Sequence, residues 1–88
     1  MMEAHLVLFA LTKHGLTEMF DLARGNPAPI WVNQGLLDTA DLNRLRSEGF
    51  NLTDFAYWID PSDESCVQEA VGTIREHHPN QVLYIERI

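Results

Sequence analysis

The chain has 88 residues, of which 45% are hydrophobic and 22% are charged. This length leaves room for one domain, and this composition is typical of a globular protein and argues against intrinsic disorder. Thirteen acidic residues against six basic ones give a net charge of −7, which disfavours binding to the phosphate backbone of a nucleic acid.

The cysteine content and the apolar runs indicate the compartment. Cys66 is the only cysteine, so the chain forms no internal disulfide, as is usual in a reducing compartment. The longest apolar run, residues 6–11, is far shorter than the roughly 20 residues that cross a bilayer, and no signal-like segment precedes it. We therefore expect a cytoplasmic protein without a membrane partner. We also expect Cys66 to be a small buried residue of the core.

The first predicted elements are a buried strand and an amphipathic helix. The unbroken apolar run of residues 6–11 is typical of an interior strand that is covered on both faces. Thr12 is the expected cap of a helix whose apolar residues recur at helical spacing, at positions 16, 19, 20 and 23. We expect this helix to end at Gly25, with the glycine at positive φ.

A short strand, a second helix and a third strand follow. Residues 30–32 are the second predicted strand. Asp38 is expected to cap the next helix, and Gly49 is expected to end it in a left-handed conformation. The third strand is predicted over residues 55–59, with Leu52 as an alternative first residue.

The third helix and the last strand complete an alternating pattern. Asp60 is the expected cap of a helix that ends near His77, and residues 81–85 are the fourth strand. Because strands that alternate with helices usually lie parallel, the sequence predicts an α/β fold. We expect one domain over residues 1–88, with a four-stranded, mostly parallel sheet and three helices in the order β-α-β-α-β-α-β.

Polar side chains follow the first three predicted strands. Ligands of parallel α/β sheets usually bind beyond the carboxyl ends of the strands, so these side chains are the catalytic candidates if the protein is an enzyme: Lys13, His14, Asn33 and Asp60. They would suit a small metal-assisted hydrolase or a phosphoryl-transfer enzyme. Asp60 and Asp63 are the candidate ligands of a divalent metal, the one cofactor that the sequence suggests. A helix cap at Asp60 and the positive end of the helix dipole near Asp63 explain these residues more simply. A regulatory domain that binds a small metabolite at the same rim is a further hypothesis.

Large aromatic residues suggest a surface for a partner. Three short helices are too few to cover two faces and both edges of a four-stranded sheet, so some aromatic side chains should stay exposed. The candidates for such an interaction surface are Trp31, Tyr57, Trp58 and Tyr84. We favour a non-catalytic protein-interaction module that associates with itself as a homodimer or with another protein.

Overall fold

A four-stranded parallel sheet forms the centre of the computed structural model, which describes residues 6–86. The elements along the chain are β1 (Leu6–Ala10), α1 (Lys13–Gly25), β2 (Ile30–Val32), α2 (Thr39–Ser47), β3 (Leu52–Asp54), α3 (Glu64–His77) and β4 (Val82–Ile85). The strand order is β3-β2-β1-β4, and every neighbouring pair is parallel. The predicted α/β fold is therefore confirmed. No helix in the described residues is long and apolar enough to cross a membrane.

β1 is the interior strand that its apolar run predicts. It lies between β2 and β4, and residues 7–11 are all buried. Alternating side chains divide the core between the two faces of the sheet. One face packs against α1 and α2 through Leu8, Ala10, Ile30, Val32 and Leu52. The other face packs against α3 through Val7, Phe9, Leu11 and Trp31.

Two helix caps confirm the sequence prediction, and one helix end differs from it. The Thr12 hydroxyl accepts from the amide of Gly15 at 3.4 Å, and Asp38 accepts from the amide of Asp41 at 2.8 Å. α1 ends at Gly25, as expected, but this glycine is not at positive φ. Instead Asn26 ends the helix in an extended conformation, with φ −149 and ψ 90, because it precedes Pro27 and a residue before proline disfavours helical geometry.

The third strand lies earlier than predicted. β3 spans Leu52–Asp54, and its first residue pairs with Ile30 of β2, whereas residues 55–59 form a loop. Phe55 and Ile59 of that loop are buried, while the three residues between them are exposed. This pattern lacks the alternation of a strand, so the prediction over 55–59 is wrong and the alternative start at Leu52 is correct.

The cap of α3 is Asp63 rather than Asp60. The Oδ1 atom of Asp63 accepts from the amides of Ser65 at 3.0 Å and Cys66 at 3.3 Å, which fixes the first helical residue at Glu64. Asp60 makes a tight turn instead, because its Oδ1 accepts from the amide of Ser62 at 2.9 Å and from the hydroxyl of Ser62 at 2.7 Å.

Trp31 is a core residue. Its side chain is 6% exposed and packs between the sheet and α3. The indole N–H donates to Nε2 of His78 at 3.0 Å, so the histidine that follows α3 satisfies the one polar atom of this buried ring. Trp31 is therefore buried and not available to an interaction surface, unlike the other three residues predicted for that surface.

Candidate functional site

Of the polar residues predicted at the rim, only His14 lines the groove that the described residues form between α1 and β4. Lys13 and His14 lie exposed in the first turn of α1, whereas Asp60 and Asp63 lie exposed before α3. β2 separates β1 from β3, which places the two strands about 10 Å apart. His14 lines a groove between α1 and β4, and neither Asp60 nor Asp63 borders that groove. A catalytic role for these residues stays a prediction.

The carboxylates of the two predicted metal ligands both accept hydrogen bonds from residues that follow them closely in sequence. The hydrogen bonds from Ser62 hold the pKa of Asp60 below its ordinary value. Asp63 uses its carboxylate to cap α3. Among residues 6–86, no group of three or more histidine, cysteine, aspartate or glutamate side chains is placed to hold a metal ion. Metal binding at these two carboxylates stays a prediction.

Asn33 is a structural centre rather than an exposed polar group. It is fully buried just after β2. Its amide nitrogen donates to the carbonyl oxygens of Leu11 at 3.1 Å and Ile59 at 2.7 Å. Its Oδ1 accepts from the amides of Ile59 at 2.9 Å and Gln34 at 2.8 Å. One side chain therefore ties the end of β1 to the loop that follows β3.

Glu86 places a buried carboxylate at the start of α1. The side chain is 7% exposed, and Oε1 accepts from the amides of Leu11 at 2.7 Å and Thr12 at 2.8 Å. The hydroxyl of Thr12 donates to Oε2. The chain adds β2 and β3 on one side of β1 and β4 on the other side, and ligands of open α/β sheets usually bind at such a change in strand order. In this protein the Glu86 carboxylate occupies that position and accepts from the amides of Leu11 and Thr12.

A glycine in α1 makes room for this carboxylate. A Cβ atom at Gly15 would overlap the carboxylate carbon of Glu86. Gly15 therefore serves close approach, since it lies inside a helix and not at positive φ. The glycine and the glutamate form one contact whose two halves lie at opposite ends of the described chain.

An open groove runs beside this contact. It measures about 740 Å³ and lies between the outer side of α1 and the exposed side of β4. Its walls combine acidic groups with apolar ones, including Glu18, Asp21, Leu22 and Tyr84. This groove marks the part of the sheet face that α1 leaves uncovered.

The free edge of β4 carries apolar side chains. No strand among the described residues pairs with its outer side. Val82 is 62% exposed and Tyr84 is 37% exposed, both on the α1 side of the sheet. Because the amide of Glu86 donates to the carbonyl of Phe9 at 3.0 Å, alternation directs the backbone polar groups of Leu83 and Ile85 away from β1.

The opposite edge of the sheet is protected. The guanidinium of Arg46 donates to the carbonyl of Leu52 at 3.2 Å and 2.9 Å, and it pairs with Asp54 at 3.6 Å. A charged side chain on an edge strand hinders pairing with another chain. The two edges of the sheet therefore differ. The guanidinium of Arg46 covers the edge at β3, whereas β4 contains four hydrophobic residues and no charged one.

A short aromatic arch forms a second exposed surface. We use this name for residues 56–58, in which Tyr57 is 52% exposed and Trp58 is 55% exposed. Both ends of the arch are held, because the amide of Phe55 donates to Val32 at 3.1 Å and Ile59 is fixed by Asn33. Tyr57 also lies against Phe55, with ring centroids 5.7 Å apart.

Cys66 is half-buried against the core face of α3 rather than fully buried. Its thiol lies 3.4 Å from Oδ2 of Asp63. A hydrogen bond to this carboxylate stabilises the protonated thiol, and partial burial and the charges of Asp63 and Glu69 act in the same direction. The pKa of Cys66 is therefore raised above its ordinary value.

We expect Asp63→Asn to make Cys66 more reactive. Asparagine caps a helix as well as aspartate does, so α3 should persist while the negative charge is lost. The pKa of the thiol should then fall, and alkylation by iodoacetamide near neutral pH should become about two- to tenfold faster. Asp60→Asn is the matched control and should leave the rate unchanged, because the Asp60 side chain bonds to Ser62. An unchanged rate in Asp63→Asn would show that the Asp63 carboxylate does not control the reactivity of the thiol.

Glu86 is not among the site residues predicted from the sequence, although its position after a strand indicates a polar group at the rim of the sheet. The rule that ligands and polar groups collect beyond the carboxyl ends of strands applies to the fourth strand as well as to the first three. Glu86 is the first residue after β4 and follows four apolar residues. Applying the rule there would have selected it, but its partner could not be inferred without the strand order.

Comparisons with protein-family models, with curated proteins and with solved structures gave no match to this chain.

Proposed function

We propose that this chain is a non-catalytic module that associates with itself through the free edge of β4. The observation that carries the proposal is the difference between the two edges of the sheet. Arg46 covers β3, whereas β4 presents four apolar residues without a charge. Unpaired, uncharged edges are the usual sites of strand addition between chains.

A two-fold axis beside β4 would let the unpaired backbone groups of this edge form hydrogen bonds in both copies. Antiparallel pairing of two β4 strands would join the sheets into one of eight strands, and each copy would offer the same surface to the other. Val82 and Tyr84 would meet their counterparts beside Leu22 of each α1. A stable dimer of this kind should bury more than about 1,000 Å² in total.

The test is analytical ultracentrifugation of the wild type and of V82K/Y84K. We expect the wild type to dimerise at micromolar concentration and to dimerise more tightly as salt is raised from about 0.05 to 0.5 M, because each copy carries a charge of −7. The double variant should be monomeric, since lysine blocks pairing at an edge strand. Its less negative charge would by itself favour association, so charge repulsion cannot explain the loss.

N43K/Q68K is the matched control, because it changes the net charge equally at exposed positions on α2 and α3. It should dimerise like the wild type. A wild type that stays monomeric at every salt concentration, or a V82K/Y84K variant that still dimerises, would refute the proposal. Loss of the dimer in Y57S/W58S instead would place the interface at the aromatic arch.

A further inference from the structure

The aromatic arch lies in the most acidic part of the chain. Residues 47–74 contain six acidic residues and no lysine, arginine or histidine. Four of these carboxylates flank the arch closely in sequence and are exposed: Asp54, Asp60, Asp63 and Glu64. An exposed tyrosine and an exposed tryptophan therefore lie within a few residues, along the chain, of four exposed carboxylates.

The arch is held in place before any ligand arrives. Asn33 bonds to both the amide and the carbonyl of Ile59, and Phe55 is buried at the other end. A side chain displayed on an anchored backbone loses less freedom on binding than one on a loose loop. Such a preorganised aromatic pair is the kind of group that dominates binding energy at interfaces.

We propose that the aromatic arch binds an arginine-bearing segment of another protein. A guanidinium stacks on the face of an aromatic ring and also forms paired hydrogen bonds with a carboxylate, so it matches both features of this surface. Among the described contacts, both bonds that Asp60 accepts use Oδ1, which leaves Oδ2 to a ligand. This inference does not depend on the proposed self-association through β4.

A second copy of the chain fits this surface less well. Three of the five basic residues in the described region already pair with carboxylates of their own chain: Arg24, Arg44 and Arg46. Every copy also has the same net charge of −7, so two copies repel each other. The favoured occupant is therefore a cationic segment from a different protein.

The test is titration with a blocked peptide of alternating arginine and glycine residues, followed by calorimetry and tryptophan fluorescence at about 0.15 M salt. We expect saturable binding, with at least about threefold weaker binding of the matching lysine and glycine peptide, because an ammonium stacks poorly on aromatic rings. Y57S/W58S keeps every charge of the chain and should bind the arginine peptide at least about tenfold more weakly.

V82S/Y84S is the matched control, because it also removes two exposed apolar side chains but leaves the arch unchanged. It should bind the arginine peptide like the wild type, whether or not the chain dimerises. Circular dichroism should show that both variants fold. Equal binding by Y57S/W58S and the wild type would overturn the proposal, since charge alone would then account for the affinity. Failure of the wild type to bind the arginine peptide would also overturn it.

Discussion

Asn33→Ala is expected to destabilise the fold by about 3–5 kcal/mol, because four backbone groups, three of them in buried hydrogen bonds, would lose their partner. These groups are the carbonyls of Leu11 and Ile59 and the amides of Ile59 and Gln34. Water cannot easily replace the side chain, since Asn33 is fully buried. A domain of this length has a stability of about 4–13 kcal/mol, so this variant should lose a large share of it.

Chemical denaturation followed by circular dichroism measures this loss. Asn43→Ala is the matched control, because that asparagine is exposed on α2 and its replacement should change the stability by less than about 0.5 kcal/mol. Hydrogen exchange adds a local measurement, in which the amide of Ile59 should exchange faster in Asn33→Ala. A loss below about 1 kcal/mol would show that ordered water replaces the side chain.

Features whose causes lie close together in the sequence were predictable. The apolar run of β1 requires cover on both faces, and the structure provides it. Thr12 and Asp38 cap their helices through amides three residues away, so the pattern is contained in one short segment. Gly49, at φ +104, ends α2 for the same local reason.

Features that depend on distant residues were not predictable. The segment of residues 55–59 is rich in residues that favour strands, yet it forms a loop. Its backbone at Ile59 bonds to the side chain of Asn33, which lies 26 residues earlier, instead of to a neighbouring strand. Tertiary contacts therefore override the local preference of that segment.

The candidate site residues likewise differ in whether their environment could be predicted from the sequence. Tyr57, Trp58 and Tyr84 are exposed as an interaction surface requires, whereas the burial of Trp31 depends on α3 and on His78. The role of Glu86 depends on β4 lying next to β1, and nothing in a single sequence states the strand order. The contact between Glu86 and the start of α1 spans 75 residues, so only the folded chain reveals it.

Gly15→Ala is expected to destabilise the wild type and to stabilise a variant that lacks the Glu86 side chain. In the wild type, the new methyl group would displace the carboxylate and leave the amides of Leu11 and Thr12 without their acceptor, at a cost of about 2–4 kcal/mol. In Glu86→Ala the carboxylate atoms, which are the three nearest to that methyl group, are already absent. Alanine should then stabilise α1 by about 0.5–1 kcal/mol through its higher helix propensity.

The reversal of sign is what separates this contact from a general effect of packing. The main comparison uses the wild type, Gly15→Ala, Glu86→Ala and the double variant, each measured by chemical denaturation. Gly72→Ala is the matched control, because this glycine is also helical and a Cβ atom there would meet nothing within 4 Å. That control should gain about 0.5–1 kcal/mol in the wild type and in Glu86→Ala alike. Additive effects of Gly15→Ala and Glu86→Ala would contradict the contact, because two residues that occupy the same space must be energetically coupled.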